Sequence, residues 1–216
     1  MLSENYIKQL LDNNQEWVKE QLAIDPECFN RAAQGQEPKV LWLGCSDSRV
    51  PPGEITGTGQ GEFFVHRNIA NIVSYTDFNF LSVLKYAVEY LKVEHVIVCG
   101  HYECGGVKAA MGSVSHGILD NWLLQIRDTM HFYEAELEHL NEHDRFDRLV
   151  ELNVIEQISH LGNTNIMRAA WEGGKSPQLH GWVYDIGTGY IKTLLGGINS
   201  VELLKEHCKY EKIRKG

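Results

Sequence analysis

The sequence predicts a single α/β domain in which helices flank a mostly parallel central sheet. Three observations carry that prediction. Two short apolar runs, KVLWLG (39–44) and HVIVCG (95–100), are rich in Val, Leu and Ile and pass into loop-like sequence, as strands buried on both faces do. Between them, residues 77–91 place Phe80, Leu84, Ala87, Val88 and Leu91 on one helical face behind Asp77 as an N-cap. Strand, helix and strand in that order make a right-handed crossover unit of a parallel sheet.

The other elements extend the same pattern. EFFVH (62–66) and PQLHGWVYD (177–185) read as further strands. Residues 119–136 and 146–161 read as helices, and Val201 to Arg214 as a closing helix. The first 35 residues form an amphipathic helix broken near Pro26. They have little core of their own, so they are expected to lie on the domain or on a neighbouring subunit. The organisation expected is one domain over 1–216, with a helical arm at 1–35, an α/β core at 36–195 and a C-terminal helix at 198–214.

Composition removes several function classes. A net charge of −9, with Lys and Arg scattered apart from the terminal KYEKIRKG, disfavours a nucleic-acid partner. No stretch approaches the roughly 20 apolar residues that span a bilayer, so no membrane partner is expected. The N-terminal MLSENYIKQLLDNNQEW has neither the apolar centre of an export signal nor the Arg-rich character of a transit peptide, which leads to a cytoplasmic expectation. The five cysteines, Cys28, Cys45, Cys99, Cys104 and Cys208, are odd in number and irregularly spaced, against a disulfide framework.

Candidate chemistry concentrates in GCSDSRV (44–50) and GHYECGG (100–106), each directly after a predicted parallel strand. Ligand sites in open α/β sheets form beyond the carboxyl ends of strands, where the strand order reverses. Cys45, His101 and Cys104 are therefore expected to meet. Two thiolates and one imidazole suit zinc, and three protein ligands leave a fourth position open. Cys104 would open the helix CGGVKAAM, where free N–H groups favour a thiolate, and Gly105 and Gly106 would allow close backbone approach. Cys99, Cys28 and Cys208 read as buried filler. Asp47 and Arg49 form a charge-assisted pair beside the metal. Such a site acidifies water less than a three-histidine site, so it needs an oriented acceptor for the water's proton. Asp47 is placed to serve, with Arg49 holding it ionised.

With CSDSR followed by HYECGG, and with FVHRNIAN (64–71) and NWLLQIRD (121–128), the sequence resembles the β-class carbonic anhydrases over roughly 29–185. The resemblance implies zinc at Cys45, His101 and Cys104, an Asp47–Arg49 catalytic dyad, and reversible hydration of carbon dioxide to bicarbonate. It also implies a carbon dioxide pocket lined by Gln36, Val50, Phe64, Ile69 and Tyr86, partly across a dimer interface, with dimers pairing into tetramers. Trp42, Arg67 and Tyr184 match a trio that binds inhibitory bicarbonate in one subgroup, the type II enzymes. There the counterpart of Asp47 leaves the arginine and becomes a fourth zinc ligand, so activity is expected to rise at alkaline pH. Gln60 in TGTGQGEF, where the family usually has proline, and a short 112–118 segment depart from the pattern without touching a proposed ligand. Two other readings stand beside this one. The first is a same-scaffold hydrolase of carbonyl sulfide or carbon disulfide, and the second is a non-catalytic zinc- or bicarbonate-binding protein.

Overall fold

The computed structural model describes residues 2–174 and 177–208. The chain divides into two compact units, Met1–Glu37 and Pro38–Gly216, two residues past the expected boundary. In the first unit, α1 (Leu2–Ile24) stops just before Pro26 and α2 (Cys28–Ala33) follows. Tyr6, Ile7, Leu10, Leu11 and Trp17 of α1 are exposed. Cys28 is half-buried and sits outside the buried core, which corrects its reading as filler.

The second unit is built on a five-stranded sheet, in the order β2-β1-β3-β4-β5. β1 (Val40–Cys45), β2 (Phe63–Asn68), β3 (His95–His101) and β4 (Gln178–Tyr184) run parallel, and β5 (Ile191–Ile198) closes the edge antiparallel to β4. The apolar runs are central strands, as their unbroken burial requires. β5 was not expected, and the core extends through Ile198. Its sequence, IKTLLGGI, neither alternates cleanly nor buries a face: only Ile198 is buried.

Helices cover the sheet. Between β1 and β2 lies α3 (Pro52–Thr56). α4 (Phe78–Lys85) is capped by the Asp77 carboxylate, which accepts from the Asn79 N–H, and runs on as a wider π turn over Tyr86–Leu91. Phe80, Leu84, Ala87 and Val88 are buried, as the helical face predicted. α5 (Gly105–Met111) follows β3. The helix expected at 119–136 divides at Tyr133 into α6 (Leu119–Phe132) and α7 (Glu134–Leu137), because Tyr133 turns inward and donates to Glu156 at 2.7 Å. α8 (Glu142–Gly162) is longer than expected, since Asn141 caps it one turn earlier. α9 (Asn165–Glu172), capped by Thr164, was not foreseen. The closing helix is shorter than expected: α10 (Val201–His207) starts behind the Ser200 cap and ends at Cys208, whose backbone is extended, while the expected stretch 209–214 and KYEKIRKG lie outside the described residues.

Alternation along the strands separates two apolar layers. Leu41, Leu43, Val96 and Val98 face the main core with α8, while Trp42, Ile97 and Cys99 form a smaller cluster on the opposite face with Phe63, Trp182 and Tyr184. α8 lies so close to the sheet that a Cβ on Gly100 would come within 2.6 Å of Val154 Cγ2. Gly100→Ala should therefore cost about 1–3 kcal/mol by overpacking, read as a lower urea midpoint at unchanged slope. An unchanged midpoint would show that α8 yields at no cost.

Candidate metal centre

The chain leaves β1 for β2 on one side and reaches β4 from β3 on the other, so the crevice beyond β1 and β3 is the point where the order reverses. Three donors meet there. The ligand atoms of Cys45, His101 and Cys104 lie within 4.8 Å of one another, and all three residues are buried. Cys45 ends β1, His101 ends β3, and Cys104 is the N-cap of α5. Glu103 takes φ +57, a left-handed turn between the second and third ligands.

The donor set is prepared for a cation. His101 Nδ1 donates to the Tyr102 carbonyl at 2.8 Å, which leaves Nε2 as the ligand atom. Nε2 is buried with no hydrogen-bond partner among the described residues. The Cys45 thiol is pulled down to about 4 by its hydrogen bond from Cys104, against burial, with help from His101 and the backbone N–H groups of Asp47 and Ala70. Cys104 moves the opposite way, because the adjacent Cys45 thiolate and burial both resist a second negative charge. Two thiolates and the orphaned imidazole Nε2 fit a thiophilic divalent ion and leave one tetrahedral position open. Asp47 and Arg49 pair as expected. Arg49 Nε donates to Oδ1 at 3.0 Å and Nη2 to Oδ2 at 2.7 Å, while the Arg49 N–H also reaches Oδ1 at 2.9 Å. This pairing holds the carboxyl far below the usual carboxylate range, against the opposing pull of burial. Asp47 Oδ2 stands 3.8 Å from His101 Nε2. Arg49 Nη2 also donates to the Glu103 carbonyl at 3.3 Å, joining the two ligand-bearing loops.

Several supports were invisible in the motifs. The Ala70 N–H donates to Cys45 Sγ at 3.4 Å from a left-handed turn, with φ 60 at Ala70 and 50 at Asn71. A buried amide relay from α8 holds that turn. Asn153 donates to the Ala70 carbonyl at 3.0 Å, Gln157 donates to Asn153 at 3.0 Å, and Val73 N–H donates to Gln157 at 2.7 Å. Polar side chains set among the apolar residues of the helix's second half, NVIEQ (153–157) between LVEL and IS, were the available signal. Gly106 permits the turn's approach, since a Cβ there would sit 2.8 Å from Ile69 Cγ2. Gly105 faces open space, contrary to expectation.

The remaining predicted residues fall as follows. Val50 is buried, Phe64 is half-buried with its ring 5.7 Å from Tyr86, and Ile69 and Tyr86 are exposed. Gln36 belongs to the first unit. Arg67 Nε donates to the Cys45 carbonyl at 2.7 Å and Nη2 to the Asp47 carbonyl. Trp42 is fully buried, yet its indole N–H has no partner among the described residues. Tyr184 packs against the same cluster.

Residues 40–191 match the family model described as carbonic anhydrase. A carbonic anhydrase of Emericella nidulans is 47% identical over 187 residues, covering 86% of this chain and 82% of that protein. One of two tetrameric β-carbonic anhydrases of Sordaria macrospora superposes with a TM-score of 0.84 at 42% identity, over 89% of this chain and 98% of its own. The Coccomyxa β-carbonic anhydrase solved with acetazolamide gives a TM-score of 0.91 at 36% identity, over 96% and 94%.

The geometry makes a direct prediction. Cys104→Ser should weaken metal retention by more than about tenfold, the least that losing even a group supporting a ligand costs, as measured by metal content after competition with a chelator. Wild-type retention in that variant would remove Cys104 from the ligand set.

Proposed function

The chain belongs to the carbonic anhydrase family, in its β-class, and from that premise we propose that it hydrates carbon dioxide reversibly at a zinc ion held by Cys45, His101 and Cys104. The observation that carries the reading is the buried, partnerless Nε2 of His101 between two thiols, with the Asp47 carboxylate 3.8 Å away. Zinc, when bound, would act as a Lewis acid that makes water nucleophilic near neutral pH.

The protein's own groups supply orientation. Asp47 is kept ionised by Arg49, so it serves as a hydrogen-bond acceptor that aims a water molecule; a carboxylate so strongly paired is a poor resting place for a proton. Arg49 fixes Asp47 and the Glu103 carbonyl together. Carbon dioxide is small and uncharged, and Val50, Phe64, Ile69 and Tyr86 offer the apolar wall it needs. Gln36 belongs to the same pocket, which is lined partly from across a dimer interface. The exposed apolar side chains of α1 support an obligatory dimer, which pairs into a tetramer as the Sordaria enzymes do. No disulfide joins the described cysteines, in keeping with a reducing cytoplasm.

Bicarbonate regulation of the type II kind has support of its own. Trp42 holds a buried N–H that lacks an acceptor, Arg67 reaches the carbonyls on either side of Ser46, and Tyr184 lines the same cluster. An anion accepting from Trp42 and Arg67 would draw the guanidinium off those carbonyls and loosen the 45–47 segment. Asp47, released from Arg49, would then be free to turn toward the donors Cys45, His101 and Cys104 that would hold the ion. A carboxylate there would lose ground to hydroxide as pH rises, so activity would be expected to switch on in alkali.

Stopped-flow carbon dioxide hydration with parallel metal analysis tests both layers. Rates should climb steeply between about pH 6.5 and 9, a range bracketing the ~7 at which zinc-bound water ionises in three-histidine carbonic anhydrases, a reference value from that other site. A flat profile would remove the switch. Asp47→Asn should keep its zinc and lose turnover by about 100-fold or more; full turnover would refute the role of that carboxylate. Parallel assays with carbonyl sulfide and carbon disulfide should show no comparable activity.

A further inference from the structure

Glu151 is an acidic side chain on α8 that the reaction does not use, yet it is 8% exposed and fully engaged. Its Oε1 accepts from Tyr102 Oη at 2.7 Å and from Lys192 Nζ at 2.6 Å; its Oε2 accepts from Arg148 Nη1 at 2.7 Å. Arg148 is itself fixed, donating from Nε to Glu136 at 2.7 Å. The carboxylate therefore ties α8 and β5 to Tyr102, the residue between the ligand His101 and the left-handed turn at Glu103.

Tyr102 is held at three points. Its N–H donates to the Tyr184 carbonyl at 3.0 Å, its own carbonyl accepts from His101 Nδ1 at 2.8 Å, and its hydroxyl ends on Glu151. The first two bonds are made by the peptide groups on either side of one Cα. Only the third, from the side chain, reaches a separate layer of the fold and opposes rotation of that backbone about the strand end. Lys192 comes from the antiparallel edge strand and Arg148 from one turn earlier on α8, so the anchor is braced from two directions.

Resting on the metal-site reading above, we propose that Glu151 is a positioning residue for the metal centre: by gripping the Tyr102 hydroxyl it fixes the carbonyl that orients His101. Polar groups behind a metal ligand set its tautomer and ring orientation, and here the chain of control runs carboxylate, phenol, peptide carbonyl, imidazole. Loosening it leaves all three ligands present and lets the imidazole rock.

The test compares zinc-loaded wild type with Tyr102→Phe and Tyr133→Phe by zinc transfer to a chromophoric chelator, and compares the cobalt(II) forms by visible absorption. Tyr133→Phe is the control, since it removes a tyrosine–glutamate bond of the same 2.7 Å length elsewhere in the core. Tyr102→Phe should release zinc about tenfold faster, the low end of the 10–100-fold that losing a group bonded directly to a ligand costs, and should shift the cobalt bands. Tyr133→Phe should match wild type in both. Glu151→Gln, which keeps an oxygen for Tyr102, should stay nearer wild type than Tyr102→Phe. Unchanged release and spectra in Tyr102→Phe, equal acceleration in both Phe variants, or a Gln variant faster than Tyr102→Phe would each overturn the proposal. A wild-type protein that takes up no zinc would sink the metal-site reading itself, a result distinct from normal uptake with unchanged release.

Discussion

The parallel pairing of β1 with β3, which sets Gly44 opposite Cys99, carries Cys45 and His101 to the same end of the sheet. Everything chemical in the molecule depends on that alignment. Two residues 56 positions apart become neighbours because their strands are bonded side by side, and the register cannot slip by one residue without turning Cys45 away from the α8-backed core and Trp42 into it. Cys45 and Cys104 belong to the α8-backed core, which shields the candidate metal centre. Only Cys104 needs separate placement. The turn at Glu103 supplies it locally, and the start of α5 receives it.

Strain is concentrated in the two turns that touch the ligands. Ala70, Asn71 and Glu103 all take positive φ without being glycine, a conformation costing on the order of 1–3 kcal/mol each that persists only where the surroundings over-determine it. The surroundings do so with buried polar groups. Asn153 and Gln157 grip the 70–73 turn, while Arg49 reaches the Glu103 carbonyl. α8 is therefore more than a lid on the core, since it presents amides to the 70–73 turn behind Cys45 and a carboxylate to the loop between His101 and Cys104. A helix carrying Asn, Gln and Glu on its inward face looks poorly designed for packing and well designed for holding turns.

Much of this was legible in the residues. The central strands announce themselves through apolar runs, α4 through its face and cap, and the metal centre through Cys and His placed just beyond two strands. What stayed hidden has physical causes. β5 is an edge strand with paired glycines and exposed side chains, so it lacks the alternation that marks a half-buried strand. Tyr133 breaks a helical period for the sake of one buried hydrogen bond, and periodicity does not register such an exchange. The Ala70 amide is a backbone donor and leaves no trace in side-chain chemistry. Glu151 reads as one more helical charge until the fold sets Tyr102, Lys192 and Arg148 around it.

The central claim is that two sulfurs and one imidazole nitrogen, gathered from the ends of two parallel strands and the start of one helix, share a single ion. X-ray absorption at the zinc edge of the metal-loaded protein examines it without reference to turnover. The account predicts a first shell of two sulfurs at about 2.3 Å and lighter N/O donors at about 2.0–2.1 Å. A shell of nitrogen and oxygen alone, or one with a single sulfur, would contradict it.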